Sequence, residues 1–267
     1  MGQIMAGKVI VVTSGKGGVG KTTTVANIGT TLAKKKHSVV MIDADIGLRN
    51  LDVVMGLENR IVYNLVDIIE GKCRKQQAMI RDRKLANLYI IPAAQTREKN
   101  AVQPEQMKSL CAELAEEFDY VLIDCPAGIE QGFRNAVAGA QTALIVTTPE
   151  VSAIRDADRV IGLLEAGLLR DIHLIVNRLN QRMVKKGDMM STADIVSLLA
   201  VPLLGVVPES EEVVISTNRG VPLVHDRGSR AGIAFQKIAA RLNGEQIPIE
   251  EENGNGFISR MKRFIWS

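Results

Sequence analysis

A glycine-rich loop near the start of the sequence constrains this chain more than any other feature. Residues 15–22 read Gly-Lys-Gly-Gly-Val-Gly-Lys-Thr and satisfy the G-x-x-x-x-G-K-[ST] template of a phosphate-binding loop. The β-branched run at 8–13 predicts a buried parallel strand, and residues 23–35 have the apolar spacing of a helix. Strand, glycine loop and helix in this order place a helix N-terminus beneath a bound anion. The segment therefore predicts a nucleotide site.

Each residue type in this loop has a chemical task. Glycine allows the backbone to come close to the ligand, and successive N–H groups then point at the terminal phosphates. Lys21 would reach the β- and γ-phosphates, and the Thr22 hydroxyl would take one site on Mg²⁺. Lys16 is an additional lysine that the template does not require. The nucleotide-binding residues predicted here are Gly15, Lys16, Gly17, Gly18, Val19, Gly20, Lys21, Thr22 and Thr23.

The remaining sequence alternates between strand-like and helical segments. Strand-like runs recur at 38–42, 88–91, 120–123, 142–146, 172–176 and 204–207, and helical spacing appears between most of them, as at 104–117, 152–166 and 191–198. This alternation predicts an α/β fold: a single P-loop NTPase domain over residues 1–243, with a mostly parallel twisted sheet covered by helices on both faces. An acidic, glycine-containing linker is predicted at 244–255.

Composition narrows the class of protein. A chain of 267 residues with 46% hydrophobic content can bury one large core. A net charge of +3 is too small to argue for nucleic acid. The three cysteines lack C-x-x-C spacing, which disfavours a zinc site or a disulfide scaffold. We expect a cytosolic protein, since residues 1–8 are too short and too mixed for a signal peptide.

Aspartates follow two of the predicted strands. Asp43 and Asp45 come directly after the strand at 38–42, and Asp124 follows the strand at 120–123. Aspartates beside a phosphate loop orient Mg²⁺ and its waters. A strand-terminal aspartate can equally be a cap or turn residue, but two such ends favour the functional interpretation. Asp45 is the candidate for orienting the attacking water, and Asp43 and Asp124 would support the metal with Thr22.

The final segment has the pattern of an amphipathic helix. At ~100° per residue, its apolar side chains share one ~120° arc, with polar and basic side chains elsewhere. The pattern predicts a helix at 256–267 that lies on an anionic membrane surface. The alternative is a terminal helix docked on its own core. The residues predicted to contact the membrane are Phe257, Ile258, Arg260, Met261, Lys262, Arg263, Phe264, Ile265 and Trp266.

Four segments resemble those of the deviant Walker A ATPases, the ParA/MinD family of partition and septum-positioning proteins. They are residues 16–23, 43–52, 124–130 and 148–158, and the likeness extends over nearly the whole chain. The resemblance implies a Mg²⁺-dependent ATPase that dimerises around two ATP molecules and is stimulated by a partner.

The resemblance also implies roles for particular residues. Lys16 would contact the phosphates bound by the opposite subunit, although a solvated lysine or a contact within its own subunit stays open. Asp156 would lie at the dimer and partner surface. Asn177, Pro208 and Glu209 match positions that hold the adenine, and simple strand-terminal turns remain the alternative.

The implied cellular role is positioning of the division septum. The resemblance implies a homodimer with ATP that recruits a MinC-like division inhibitor, answers to a MinE-like stimulating factor, and binds no specific nucleic-acid sequence. It would be cytoplasmic and peripheral to the inner face of the cell membrane, or stromal and at the inner envelope in a plastid lineage. Three rivals stay open: a DNA-partitioning ATPase, a redox ATPase holding an iron–sulfur cluster, and a nucleotide-bound scaffold with negligible hydrolysis.

Overall fold

The computed structural model describes residues 6–97 and 101–249. The strands in this part of the chain are β1 (Lys8–Thr13), β2 (Val39–Asp43), β3 (Ile80–Arg81), β4 (Leu88–Ile91), β5 (Tyr120–Asp124), β6 (Thr142–Thr147), β7 (Asp171–Leu179) and β8 (Leu203–Pro208). The helices are α1 (Lys21–Lys34), α2 (Leu51–Val54), α3 (Leu65–Ile69), α4 (Lys75–Ala78), α5 (Pro104–Ala115), α6 (Gln131–Val137), α7 (Val151–Ala166), α8 (Gln181–Lys186), α9 (Thr192–Leu199), α10 (Glu212–Asn218) and α11 (Arg230–Leu242).

The strands form one sheet in the order β3-β4-β2-β5-β1-β6-β7-β8. Every neighbouring pair is parallel except β3 with β4, which is antiparallel. The strand that leads into the glycine loop lies near the middle of the sheet, paired with β5 on one side and β6 on the other. The predicted mostly parallel α/β sheet is confirmed.

Alternate side chains of the central strands enter two separate cores. Val9 and Val11 belong to the core on one face of the sheet, and Ile10 and Val12 belong to the core on the other. Strands β2, β5 and β6 are buried along their whole length, because helices cover both faces. The uninterrupted apolar runs in the sequence are the consequence of this double coverage.

Several elements differ from their predicted limits. Helix α1 begins at Lys21, two residues earlier than the pattern predicted, because the loop feeds directly into its first turn. Strand β7 continues to Leu179 through a register irregularity. Strand β3 was not predicted, because it is too short to show a period. Helix α11 was not predicted either. The inward face of α11 includes Ala231, Phe235, Ile238 and Ala239, a helical spacing that the sequence does contain.

The described chain ends beyond α11, at the edge of the sheet where the strands begin. Arg241 donates to the carbonyl oxygens of Leu204, Ile247 and Pro248, which holds residues 247–248 against the start of β8. The predicted membrane helix at 256–267, with most of the linker at 244–255, lies outside the described residues. None of the helices in the described part is both long and apolar enough to cross a bilayer.

Candidate nucleotide site

Three strand ends meet at one point of the sheet. In the register of the central strands, Val12 of β1 lies opposite Asp124 of β5, and Asp43 of β2 lies opposite the same Asp124. The glycine loop leaves β1 immediately beyond this level. The loop and the carboxylates that the sequence predicted as a single site are therefore neighbours, at the carboxyl edge where ligands of such sheets bind.

The loop has the backbone geometry of a phosphate cradle. Gly20 has a φ of 102° and forms the N-cap of α1 without any side-chain cap, which leaves the first N–H groups of the helix facing the loop. Gly15 packs so closely on α7 that a Cβ atom there would lie 2.2 Å from the carbonyl oxygen of Asp156. Asp156, predicted at the dimer surface, is half-buried beside the start of the loop.

Lys21 is buried beneath this loop. Its amine donates to the Ser14 hydroxyl at 3.0 Å, and that hydroxyl donates to the carbonyl of Lys16 at 2.7 Å. The amine is thus aimed into the loop, where the predicted β- and γ-phosphates would lie. This role of Ser14 was not predicted, because a serine before a glycine carries no pattern of its own.

Asp43 is fully buried and engages three backbone N–H groups. One oxygen accepts from Asp45, and the other accepts from Asn50 and Leu51, at 3.0–3.1 Å. Burial raises the pKa of this carboxyl to about 6, against the lowering effect of those three hydrogen bonds. Asp43 therefore organises residues 45–51 and the start of α2, a role beyond the metal support that the sequence predicted.

Among the candidate metal-supporting carboxylates, Asp124 has an oxygen that accepts no hydrogen bond from the described part of the chain. Its Oδ1 is buried and has no hydrogen-bond partner among the described residues. Burial raises the pKa of Asp124 well above its ordinary value, as does the charge of Asp43, while the Thr22 hydroxyl and the Lys21 amine act in the opposite direction. A buried acceptor without a donor fits a water or cation that arrives with the ligand.

The residues present fit a Mg²⁺ ion for which the protein supplies only some of the ligands. No group of three or more His, Cys, Asp and Glu side chains in the described ranges could by itself hold a metal ion. Mg²⁺ in phosphate sites is ordinarily held by one or two protein oxygens, water and the phosphates themselves. The Thr22 hydroxyl with Asp124 behind it matches that requirement, and Asp43 lies one strand away.

Lys16 lies on the outside of the loop. Its amine is 3.3 Å from Glu150 Oε2 and 3.4 Å from the Ser152 hydroxyl, both at the start of α7. The side chains of this ion pair are 44% and 58% exposed. In contrast to Lys21, the amine of Lys16 is thus held by the start of α7 on the exposed side of the loop.

Of the residues predicted to hold adenine, Asn177 contacts the loop, and Pro208 and Glu209 lie at the end of the neighbouring strand. The Asn177 amide donates to the carbonyl of Val19 at 2.7 Å, and its oxygen accepts from the N–H of Arg178. Glu209 accepts from the Asn180 amide at 2.9 Å, which ties the end of β8 to the end of β7. The structure brings these residues together, and their contact with a base stays a prediction. Asn180, which also caps α8, was not foreseen.

A central glycine loop, a buried loop lysine and two buried strand-end aspartates define a P-loop nucleotide-binding protein of the α/β class. A sequence profile of the CobQ/CobB/MinD/ParA nucleotide binding domain matches residues 10–223. The chain therefore belongs to this family, within its group of septum site-determining MinD proteins.

Comparison with individual proteins supports the same assignment. The septum site-determining protein MinD of Bacillus subtilis is 53% identical over 263 residues, which cover 97% of this chain and 98% of the relative. The structure resembles the MinD chain of a MinC:MinD cell division complex from Aquifex aeolicus, with a TM-score of 0.86, 48% identity, and coverage of 92% and 100%. MinD of Pyrococcus horikoshii OT3, solved with Mg-ADP, gives a TM-score of 0.80, 29% identity, and coverage of 88% and 96%.

Proposed function

We propose that this protein is an ATPase that cycles on and off a membrane and helps to position the division septum. One observation carries the ATP-dependent part of the proposal: the loop has two lysines, and only one of them is buried beneath it. Lys21 is buried and points into its own loop, whereas Lys16 is held outside it on an exposed ion pair. A second cation directed outward is suited to the phosphates of a second copy.

The chemistry would be in-line attack of water on the γ-phosphate of ATP. The backbone N–H groups of the loop and the Lys21 amine hold the phosphates, and Asp45 orients the attacking water. When bound, Mg²⁺ supplies positive charge that offsets the charge of the phosphate oxygens. Asp43 holds the backbone of Asp45 through a 3.0 Å hydrogen bond, so the orienting residue is positioned by its neighbour.

Dimer formation requires Lys16 to leave Glu150. Exposed ion pairs contribute about 0–1 kcal/mol, so this rearrangement costs little. In the dimer each Lys16 would lie against the partner's phosphates and offset charge during transfer, as an arginine finger does. The Lys16 amine would leave one carboxylate and bind several phosphate oxygens instead. This exchange of partners favours the dimer only when triphosphate is present.

Membrane binding would depend on residues 256–267. One amphipathic helix this short binds weakly, because ordering fewer than ~12–15 residues is marginal in water. Two helices on one dimer raise avidity roughly 10²–10⁴-fold through effective concentration. ATP would therefore control attachment through dimerisation, and hydrolysis would release the protein.

A MinC-like inhibitor is the expected cargo, supported by the MinC:MinD complex of the Aquifex aeolicus relative, and a MinE-like factor would stimulate hydrolysis.

The proposal is tested by the mass of the protein in solution with nucleotide. With a non-hydrolysable ATP analogue and Mg²⁺, light scattering should report a dimer, and with ADP a monomer. Asp45→Ala should dimerise with ATP and remain on anionic vesicles without release. A chain that stays monomeric when saturated with the analogue would contradict the proposal. A scaffold without hydrolysis would show no difference between Asp45→Ala and the unaltered protein.

A further inference from the structure

The edge of the sheet where the strands begin carries cations that the nucleotide site does not use. We define the amino-edge patch by four residues: Lys34 and Lys36 at the end of α1, and Arg83 and Lys84 in the turn between β3 and β4. All four are exposed. None of them forms an ion pair with a carboxylate in residues 6–97 or 101–249; the neighbouring pairs at this edge use Lys35 and His37 instead.

Two contacts bring the members of the amino-edge patch together. The Asn87 amide donates to the carbonyl oxygens of Ala33 at 2.8 Å and His37 at 2.6 Å, which fastens the β3–β4 turn to the end of α1. Burial lowers the pKa of His225, and the positive charges of Lys84 and Lys34 lower it further. Both amines therefore act on the same imidazole from different segments of the chain.

Two carboxylates beside the amino-edge patch are already engaged in hydrogen bonds. Asp82 accepts from the backbone N–H groups of Lys84 and Leu85, both at 2.8 Å, and closes the turn. Asp119 accepts from the backbone and the hydroxyl of Ser38. The Lys34 amine donates to the carbonyl of Val224 at 2.8 Å, which leaves its charge unneutralised. Four positive charges against these two carboxylates leave this surface positive, which favours an anionic partner.

The described chain ends at the same edge. Lys35 pairs with Glu245, and the Tyr120 hydroxyl at the start of β5 donates to Asn243 at 2.8 Å. These contacts, with those of Arg241, hold the chain as far as residue 248 beside the end of α1. Residues 250–267 continue from this point, so a bilayer bound by the terminal segment would face the amino-edge patch. This continuity favours lipid headgroups over nucleic acid.

We propose that the amino-edge patch is a second membrane contact, in which Lys34, Lys36, Arg83 and Lys84 bind the headgroups of anionic phospholipids. This inference rests on the proposed function, since the terminal segment must first bring this edge of the sheet to the bilayer. The terminal helix supplies insertion, and the patch supplies the orientation of the domain and sensitivity to lipid charge. The nucleotide site, at the opposite edge of the sheet, is left free for the second copy of the proposed dimer.

The test compares two charge-neutralised variants of the full chain. Arg83→Gln/Lys84→Gln removes half of the amino-edge patch without touching the Asp82 contacts that close the turn. The matched control, Arg182→Gln/Lys185→Gln, removes two exposed cations from α8 at the opposite edge. Sedimentation with phosphatidylcholine vesicles containing increasing phosphatidylglycerol, in a non-hydrolysable ATP analogue, measures the lipid concentration for half-binding.

We expect the patch variant to need at least about 30-fold more anionic lipid, because each cation near such a surface contributes roughly a fivefold factor in affinity and the variant removes two from each copy. The control should bind as the unaltered protein does, and the difference should vanish at high salt. Equal shifts in both variants, or no shift in either, would overturn the proposal. A patch variant that binds vesicles normally but no longer binds random-sequence duplex DNA would also overturn the proposal.

Deleting residues 257–267 separates this inference from the proposed function. If the deletion leaves vesicle binding intact, the proposed anchor is wrong. If the deletion abolishes binding while the patch variant of the full chain binds normally, the anchor stands and only the amino-edge contact fails. Dimerisation with the ATP analogue in solution should be unchanged in the patch variant, which confirms that it is folded.

Discussion

Two residues of the same type, five positions apart, have different physical surroundings in this protein. Lys21 is buried and bonded to Ser14, while Lys16 is exposed and paired with Glu150. The difference follows from the loop, which turns one side chain under the phosphate cradle and the other over its rim. A substitution at Lys16 should therefore disturb the fold little, and under the proposed function it would act on the interaction between copies.

Lys16→Gln should abolish the ATP-dependent dimer and change the free energy of unfolding by less than ~1 kcal/mol, because its ion pair is exposed. Sedimentation with an ATP analogue measures the first quantity, and denaturant unfolding the second. Lys35→Gln, which breaks a comparable exposed pair with Glu245, serves as the control and should still dimerise in solution. Normal dimerisation of Lys16→Gln would remove the basis for the contact in trans.

Asp43 gives the nucleotide-free protein a specific pH dependence. Burial raises the pKa of Asp43 from 3.8 to about 6, so the folded state binds a proton more readily than the unfolded chain. The contribution of this group to stability is therefore fully present below pH ~4 and lost as pH rises through about 6.

Asp43→Asn should remove this dependence. The stability of the unaltered protein relative to the variant should rise by roughly 1–3 kcal/mol as pH falls from 8 to 4. Urea unfolding at a series of pH values, without nucleotide or Mg²⁺, measures the difference. A difference that stays constant, or that grows toward high pH, would show that the charged carboxylate is not penalised by burial.

At the scale of elements, the segment after β2 packs against the segment after β8 where two glycines, one from each segment, are in contact. Gly56 follows α2 and Gly220 follows α10, both have positive φ, and a Cβ atom at Gly220 would lie 2.6 Å from the Cα of Gly56. Asp43 holds the start of α2, so this crossing connects the nucleotide site to α10. Helix α10 has no buried residue and exposes Val214 and Ile215.

Gly220→Ala should therefore destabilise the protein by more than its backbone strain alone. The left-handed conformation costs an alanine about 1–2 kcal/mol, and the contact with Gly56 adds to that cost. Gly71→Ala is the matched control, since Gly71 has a φ of 70° but nothing within 4 Å of its added Cβ. Chemical denaturation compares the two. Equal losses of unfolding free energy in the two variants would mean that the contact between Gly56 and Gly220 accommodates a Cβ atom without an energetic cost.

At the scale of the whole molecule, the nucleotide site and the described end of the chain lie at opposite edges of one sheet. Residues 257–267 should therefore be removable without harm to the site. A chain truncated at residue 256 should bind ATP and dimerise as the full chain does, and should lose ATP-dependent sedimentation with anionic vesicles. Loss of dimerisation on truncation would contradict this separation and place the terminal segment within the dimer.

Local pattern determined much of what was predicted. The glycine loop, the strands that end in Asp43 and Asp124, and the helix that follows the loop were all read correctly, because each is specified by residues within about twenty positions. Even α11, which was missed, shows its apolar spacing in the sequence. The terminal amphipathic segment and its linker stay predictions, as do the base contact of Asn177 and the roles of Pro208, Glu209 and Asp156.

The tertiary structure alone decided which of these segments meet. The order of the strands puts β2 beside β5 and so Asp43 beside Asp124, although they are 81 positions apart in the sequence. The same packing brings Asn177 to Val19 and Glu150 to Lys16, at separations of 158 and 134 residues. Such contacts depend on how helices cover both faces of a twisted sheet, and no local spacing records that arrangement. The sequence by itself therefore determined the loop and the segments that flank it, and packing determined which residues are its neighbours.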